Sequence, residues 1–227
     1  MVHEPDDATI LTVERRGDVA VLRWTDGENR FNRPSVARWN AVLDELEADD
    51  GPLAVVCVGE GRIFSNGLDL DWISTAGGEA TGFIDDLHAL LGRFMTFPAY
   101  TVAAINGHAF AAGAMLSMGF DARVMRADRG WWCLPEVDLG LPLTDAMLST
   151  VAAKLPKATL HDAAVTGRRY TAAQALAAGI VEEVADEADV LERAVQRAAA
   201  NAGKDRSVIG THKRMLYADV VAACTAD

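Results

Sequence analysis

TVAAINGHAFAAGAMLSMGF, residues 101–120, sets a short valine- and alanine-rich run, a glycine turn and a methionine- and alanine-rich run in direct succession. TVAAI has the length and composition of a strand covered on both faces, Asn106 and Gly107 interrupt it, and AAGAMLSMGF reads as a helix. The same junction occurs earlier. LAVVCVG, residues 53–59, is a buried-strand pattern, and the loop after it reads EGRIFSNGLDLDW.

Between them, residues 79–97 carry Phe83, Leu87, Leu90, Leu91 and Phe94 at helical spacing, stopped by Pro98. Upstream, TILTVE and DVAVLRW flank RRG and predict a hairpin turning at Gly17. Pro34 then opens an amphipathic helix through Val36, Trp39, Leu43 and Leu46. Downstream, ARVMRAD predicts another strand. Beyond WWCLPEVDLGLP the chain reads as mainly helical, through MLSTVAAKL, TAAQALAAG and an alanine-rich segment near 187–202, interrupted by a strand-like IVEEV at 180–184. Strands alternating with helices imply parallel crossovers, hence one α/β domain with a helical C-terminal part.

The chain has 227 residues, half of them apolar, enough for one sizeable core. Its 21 Lys and Arg against 33 Asp and Glu leave a net charge of −12 without a basic stripe, so nucleic acid and anionic membrane are poor partners. No apolar run approaches the roughly 18 residues that span a bilayer. Cys57, Cys133 and Cys224 are odd in number and lie in apolar or alanine-rich surroundings, as reduced thiols do. The acidic N-terminus carries no targeting pattern, and a cytoplasmic location is expected. The histidines at 3, 88, 108, 161 and 212 show no pairing that would hold a metal, and none is expected.

In parallel α/β folds ligands sit beyond the carboxyl ends of strands, where both glycine-bearing loops fall. Loop glycines are common punctuation, and Gly67, Gly107 and Gly113 could serve only the backbone. No nucleotide-phosphate motif explains them. The chemical reading is a pair of backbone N–H donors, one per loop, aimed at one oxygen atom.

FSNGLDL, INGHAFAAGAMLSMGFD and LPEVDLGLP, in this order, resemble the crotonase superfamily of enoyl-CoA hydratases and isomerases, over roughly Thr9 to Tyr217. The resemblance implies a crotonase-like α/β spiral of ββα units, about residues 1–185, with a helical C-terminal region, about 186–227, in a single domain. It implies an acyl-CoA thioester substrate, no separate cofactor because coenzyme A belongs to the substrate, and assembly as a homotrimer or dimer of trimers. By position the two oxyanion donors are the N–H groups of Leu68 and Ala112. Many relatives have three glycines where Ala111, Ala112 and Gly113 stand.

Hydratases of the superfamily use two glutamates. Their positions fall on Met115 and Glu136. Adding water engages two carboxylates, whereas shifting a double bond needs one base, and the Δ3,Δ2-enoyl-CoA isomerases, which this chain most resembles, rely on one glutamate at the position of Glu136. Enclosure by Trp131, Trp132, Leu134 and Met115 would raise its proton affinity.

Ser65, Asn66, Gly67, Asp69, Leu70, Met115, Trp132 and Leu134 are the expected substrate-binding residues, and Arg30, Arg33 and Arg62 lie near loops where relatives meet CoA phosphates. Asp69 reads primarily as a helix cap, Asp138 as a loop-positioning carboxylate that competes with Glu136, and His108 as a packed side chain. Of the paired tryptophans, one can line the pocket while the other packs, because neighbours on a strand face opposite ways. The rival functions are hydration, thioester hydrolysis, or acyl-CoA binding without catalysis.

Overall fold

In the computed structural model, which describes residues 10–225, the continuous apolar runs become the middle strands of a sheet. The elements in chain order are β1 (Leu11–Arg16), β2 (Val19–Trp24), β3 (Arg30–Phe31), α1 (Arg33–Glu47), β4 (Ala54–Gly59), β5 (Ile63–Ser65), β6 (Gly67–Leu68), α2 (Leu70–Thr75), a 3-10 turn at Gly77–Ala80 and α3 (Phe83–Thr96). They continue as β7 (Tyr100–Ile105), β8 (His108–Phe110), α4 (Ala112–Gly119), β9 (Ala122–Arg126), β10 (Trp132–Cys133), α5 (Glu136–Leu139), α6 (Asp145–Ala152), α7 (Lys157–Thr166) and α8 (Ala172–Ala177). β11 (Glu183–Ala185), α9 (Val190–Ala202), α10 (Arg206–Leu216) and α11 (Ala218–Cys224) follow.

Six strands make one sheet in the order β1-β2-β4-β7-β9-β11. β1 and β2 are the predicted antiparallel hairpin, with Arg16 opposite Val19, and every later pairing in this sheet is parallel. A second sheet runs β10-β8-β5, and β3 pairs with β6. The chain therefore winds as a spiral. Successive strand pairs β4/β5, β7/β8 and β9/β10 each give one strand to the large sheet and one to the small sheet before a helix returns the chain.

The reason for the apolar runs is that the large sheet is covered twice. On one face Leu22, Val55, Cys57, Ala103 and Ile105 join the main core with α1, α3 and α4. On the other, Val19, Val21, Val56, Val58, Val102 and Ala104 meet Val190, Ala194, Ala198 and Ala202 of α9. Those four recur every fourth residue, so one stripe of α9 lies on the sheet. Small side chains let it approach closely. In α1, Val36, Trp39, Val42, Leu43 and Leu46 are buried, each worth about 1.5–3 kcal/mol relative to exposure for side chains of this kind. Trp39 stands edge-on to Trp24 and Phe94, at 5.4 and 5.3 Å. Asn32 caps this helix and Pro34 lies in its first turn.

Three boundaries differ from the sequence expectation. The helix expected from residue 79 begins at Phe83, because Gly82 adopts φ +74° and separates it from the 3-10 turn. The strand expected at 180–184 lies at Glu183–Ala185. Ile180 and Val181 are buried, but their N–H groups both turn back to the Ala175 carbonyl and so cannot join the ladder. Thr9, expected to start the first strand, lies outside the described residues.

Candidate active site

A cavity of about 400 Å³ opens where the carboxyl ends of the strands meet α4 and α5. It is lined by Asn66, Leu68, Phe110, Ala111, Ala112, Met115 and Glu136, among others, so both glycine-bearing loops and the glutamate segment reach it.

The loops touch through Gly67, which has φ +83°. A Cβ there would lie 2.7 Å from the Ala111 methyl and 3.3 Å from the Ala112 nitrogen, so only glycine fits. Gly113 serves a second contact, for a Cβ on it would fall 2.5 Å from the Ser65 carbonyl oxygen. Asp69 N–H donates to the Phe31 carbonyl at 2.9 Å. Leu68, just before it, lines the cavity.

Ala111 donates its N–H to the Cys133 carbonyl and accepts from Met115 N–H. It holds φ 51°, ψ −126°, a conformation alanine rarely adopts, and caps α4 without any side-chain hydrogen bond. The Ala112 N–H thus stands at an uncapped helix N-terminus, where the backbone dipoles favour negative charge.

Glu136 begins α5 directly after Pro135. Its carboxylate is buried, and Oε2 has no hydrogen-bond partner among the described residues. Desolvation raises its pKa above the ordinary carboxylate range. Met115 is fully buried and lines the same cavity.

The expected site residues divide. Leu68, Asn66, Leu70, Ala112, Met115 and Glu136 line the cavity, whereas Ser65, Gly67, Asp69, Trp132 and Leu134 do not. Ser65 bonds the Asn29 carbonyl from beneath the loop, and Asp69 caps α2 by accepting from Trp72 N–H at 3.0 Å. Trp132 is wholly buried, donating its indole N–H to Ser117 Oγ, and Leu134 joins the core. Trp131 faces outward and does not line the cavity either. The expected tryptophan wall is replaced by Phe110, Ile84, Leu139, Leu141 and Met147, which tertiary packing brings in.

Asp138 is exposed, directed toward Gly167 and outside the cavity. His108 stacks on Phe110, and burial together with Arg169 and Arg129 lowers its pKa. Cys133 also lines the cavity as a free thiol, pushed up to about 11 chiefly by desolvation.

The arginines expected to meet phosphates are mostly engaged. Arg30 pairs with Glu28 and Asp71, and Arg33 with Asp86 and the carbonyls of Glu79 and Thr81. Arg62 is exposed and does not line the cavity. Arg169 does, a residue that sequence patterns did not single out. Among the described residues no three His, Cys, Asp or Glu side chains converge on a metal position, and no helix is long and apolar enough to cross a membrane.

Among solved structures, an apo enoyl-CoA isomerase from Mycobacterium tuberculosis superposes with a TM-score of 0.86 over 95% of this chain and 94% of its own, at 28% identity. The spiral is thus that of the crotonase fold. A family model described as enoyl-CoA hydratase/isomerase matches residues 14–226. Enoyl-CoA delta isomerase 3 of Arabidopsis thaliana is 33% identical over 225 residues, covering 93% of each chain. A putative enoyl-CoA hydratase of Thermus thermophilus is 36% identical over 187 residues, 79% of this chain and 72% of its own. The chain belongs to the enoyl-CoA hydratase/isomerase family.

Proposed function

We propose that the protein is a Δ3,Δ2-enoyl-CoA isomerase with Glu136 as its single base. The carrying observation is the buried Oε2 of Glu136, without a partner among the described residues, in a cavity whose other candidate acid position holds Met115. Glu136 takes a proton from C2 of a 3-enoyl thioester. The C–H electron pair forms C1=C2 as the thioester C=O pair moves onto oxygen. When that pair returns, the C1=C2 pair becomes C2=C3 and the displaced C3=C4 pair takes the same proton back from Glu136 at C4.

The transient negative charge on the thioester oxygen is held by the N–H groups of Leu68 and Ala112. Each such donor contributes on the order of 3 kcal/mol to the transition state, and a placed base roughly a hundredfold to ten-thousandfold in rate. A raised pKa suits a group that must both take and return a proton. No cofactor enters this sequence, because coenzyme A is carried by the substrate.

Hydration is the competing reading, favoured by the hydratase-named relative. Water addition would need a second acid where Met115 stands. Parallel assays of 3-enoyl-CoA and 2-enoyl-CoA with the wild type and Glu136→Gln decide between them. Isomerisation should be lost by several orders of magnitude in the variant while CoA-ester binding persists. Rapid hydration of 2-enoyl-CoA by the wild type would move the assignment to a hydratase. Neither isomerisation nor hydration would leave acyl-CoA binding or thioester hydrolysis, which thiol release separates. A homotrimer or dimer of trimers is the proposed assembly, and the three buried free thiols suit the cytoplasmic location we assign.

A further inference from the structure

The cavity lining contains one carboxylate, Glu136, and one guanidinium, Arg169. Arg169 is exposed, and among the described residues no carboxylate lies within ion-pair distance of it. Arg30 and Arg33, by contrast, are each held by acidic partners.

Its place is built. The backbone of the next residue, Tyr170, exchanges two hydrogen bonds with Trp132, at 3.0 and 2.9 Å, which pins the loop after α7 against β10. The guanidinium carbon lies 5.8 Å from the Phe110 ring centroid and 5.6 Å from that of Trp131, within cation–π range. Two aromatic faces therefore orient the fork without consuming its hydrogen bonds, and its charge reaches inward far enough to add to the desolvation that lowers the His108 pKa and to offset part of the desolvation that raises that of Cys133. The other walls of the cavity are apolar where α3 and α6 supply Ile84 and Met147. The lining thus offers one region for an anion and another for a hydrocarbon chain.

We infer that Arg169 is a substrate-binding residue that receives a phosphate of the coenzyme A moiety and so directs the acyl chain toward Ile84 and Met147. This rests on the acyl-CoA reading. A guanidinium matches phosphate oxygens bidentately, and because this one is exposed its effect falls at the lower end for such contacts.

The test compares wild type and Arg169→Ala on a 3-enoyl-CoA, the matching dephospho-CoA ester and the matching pantetheine thioester, which has no phosphate. The variant should raise KM for the CoA ester about tenfold with kcat nearly unchanged, and leave both constants for the pantetheine thioester as in wild type. Retention of the effect on the dephospho-CoA ester assigns the contact to the diphosphate, and its loss assigns it to the 3′-phosphate. An equal change on the pantetheine thioester, or no change on any ester, overturns the inference. A wild type that neither binds nor turns over any CoA ester overturns the acyl-CoA reading itself.

Discussion

A Cβ on Gly67 would lie 2.7 Å from the Cβ of Ala111, closer than two methyl groups can pack. The contact joins the two loops whose N–H groups flank the proposed oxyanion position. Gly67→Ala must shift one loop, since the neighbours include the Phe110 carbonyl oxygen at 3.0 Å as well as the methyl. The positive φ adds strain. Displacing one oxyanion donor costs about 10²–10³ in kcat, and a loss of that order is expected in isomerase assays. Wild-type turnover would separate the two loops' packing from catalysis.

Ala111 holds φ 51°, ψ −126°, where a side chain costs of order 1–3 kcal/mol. Glycine would remove that strain and add about 0.5–1 kcal/mol of unfolded-state entropy. Strain relief is the larger effect, so Ala111→Gly should stabilise the protein by about 1 kcal/mol, raising Tm by roughly 2–4 °C for a chain of this size. Activity should persist, because the Ala112 N–H is unchanged. A lower Tm would show that the surrounding contacts already favour this torsion in alanine.

Much of the architecture was legible in the sequence because a strand covered on both faces leaves its residues little choice but to be apolar, as in LAVVCVG and TVAAI. Glu136 was legible for the converse reason, as a carboxylate in an apolar run. The cavity walls were not. Ile84 and Met147 look like any residues of an amphipathic helix, and their placement depends on how α3 and α6 pack. Arg169, in TGRRYT, reads as surface charge until the Tyr170–Trp132 bridge fixes it beside Phe110. The adjacent tryptophans had to face opposite ways, but which one entered the core depended on Ser117, supplied by a different element.

Glu136 makes the rate and the stability depend on pH in opposite senses. A base must be ionised, so isomerisation should fall as the pH drops through its pKa, and burial places that acid limb above the usual carboxylate range. For stability, a carboxyl whose folded pKa is raised contributes fully below its unfolded value. That contribution disappears as the pH rises through the folded value. Glu136→Gln should therefore raise Tm at pH 8 and leave it nearly unchanged near pH 4. A Tm gain largest at acid pH would contradict the assigned shift.

Lys213 of α10 bonds the Ala99 carbonyl at 2.7 Å and pairs with Asp121 at 2.6 Å, the lysine being buried and the aspartate partly so. Asp121 also accepts the Thr101 N–H at 2.8 Å, so the pair ties the C-terminal helices to the end of β7. Removing one partner of a buried pair strands the other charge, at a cost of about 3–5 kcal/mol, whereas removing both is much less damaging. Lys213→Met should lower the free energy of unfolding by about 3 kcal/mol, since Asp121 keeps its backbone partner. Adding Asp121→Asn should recover part of that loss. Urea denaturation of the two single variants and the double variant measures the coupling. Strictly additive losses would mean that the ion pair carries none of the docking, leaving it to the apolar contacts of Val220 and Cys224 with Met95 and Ala146.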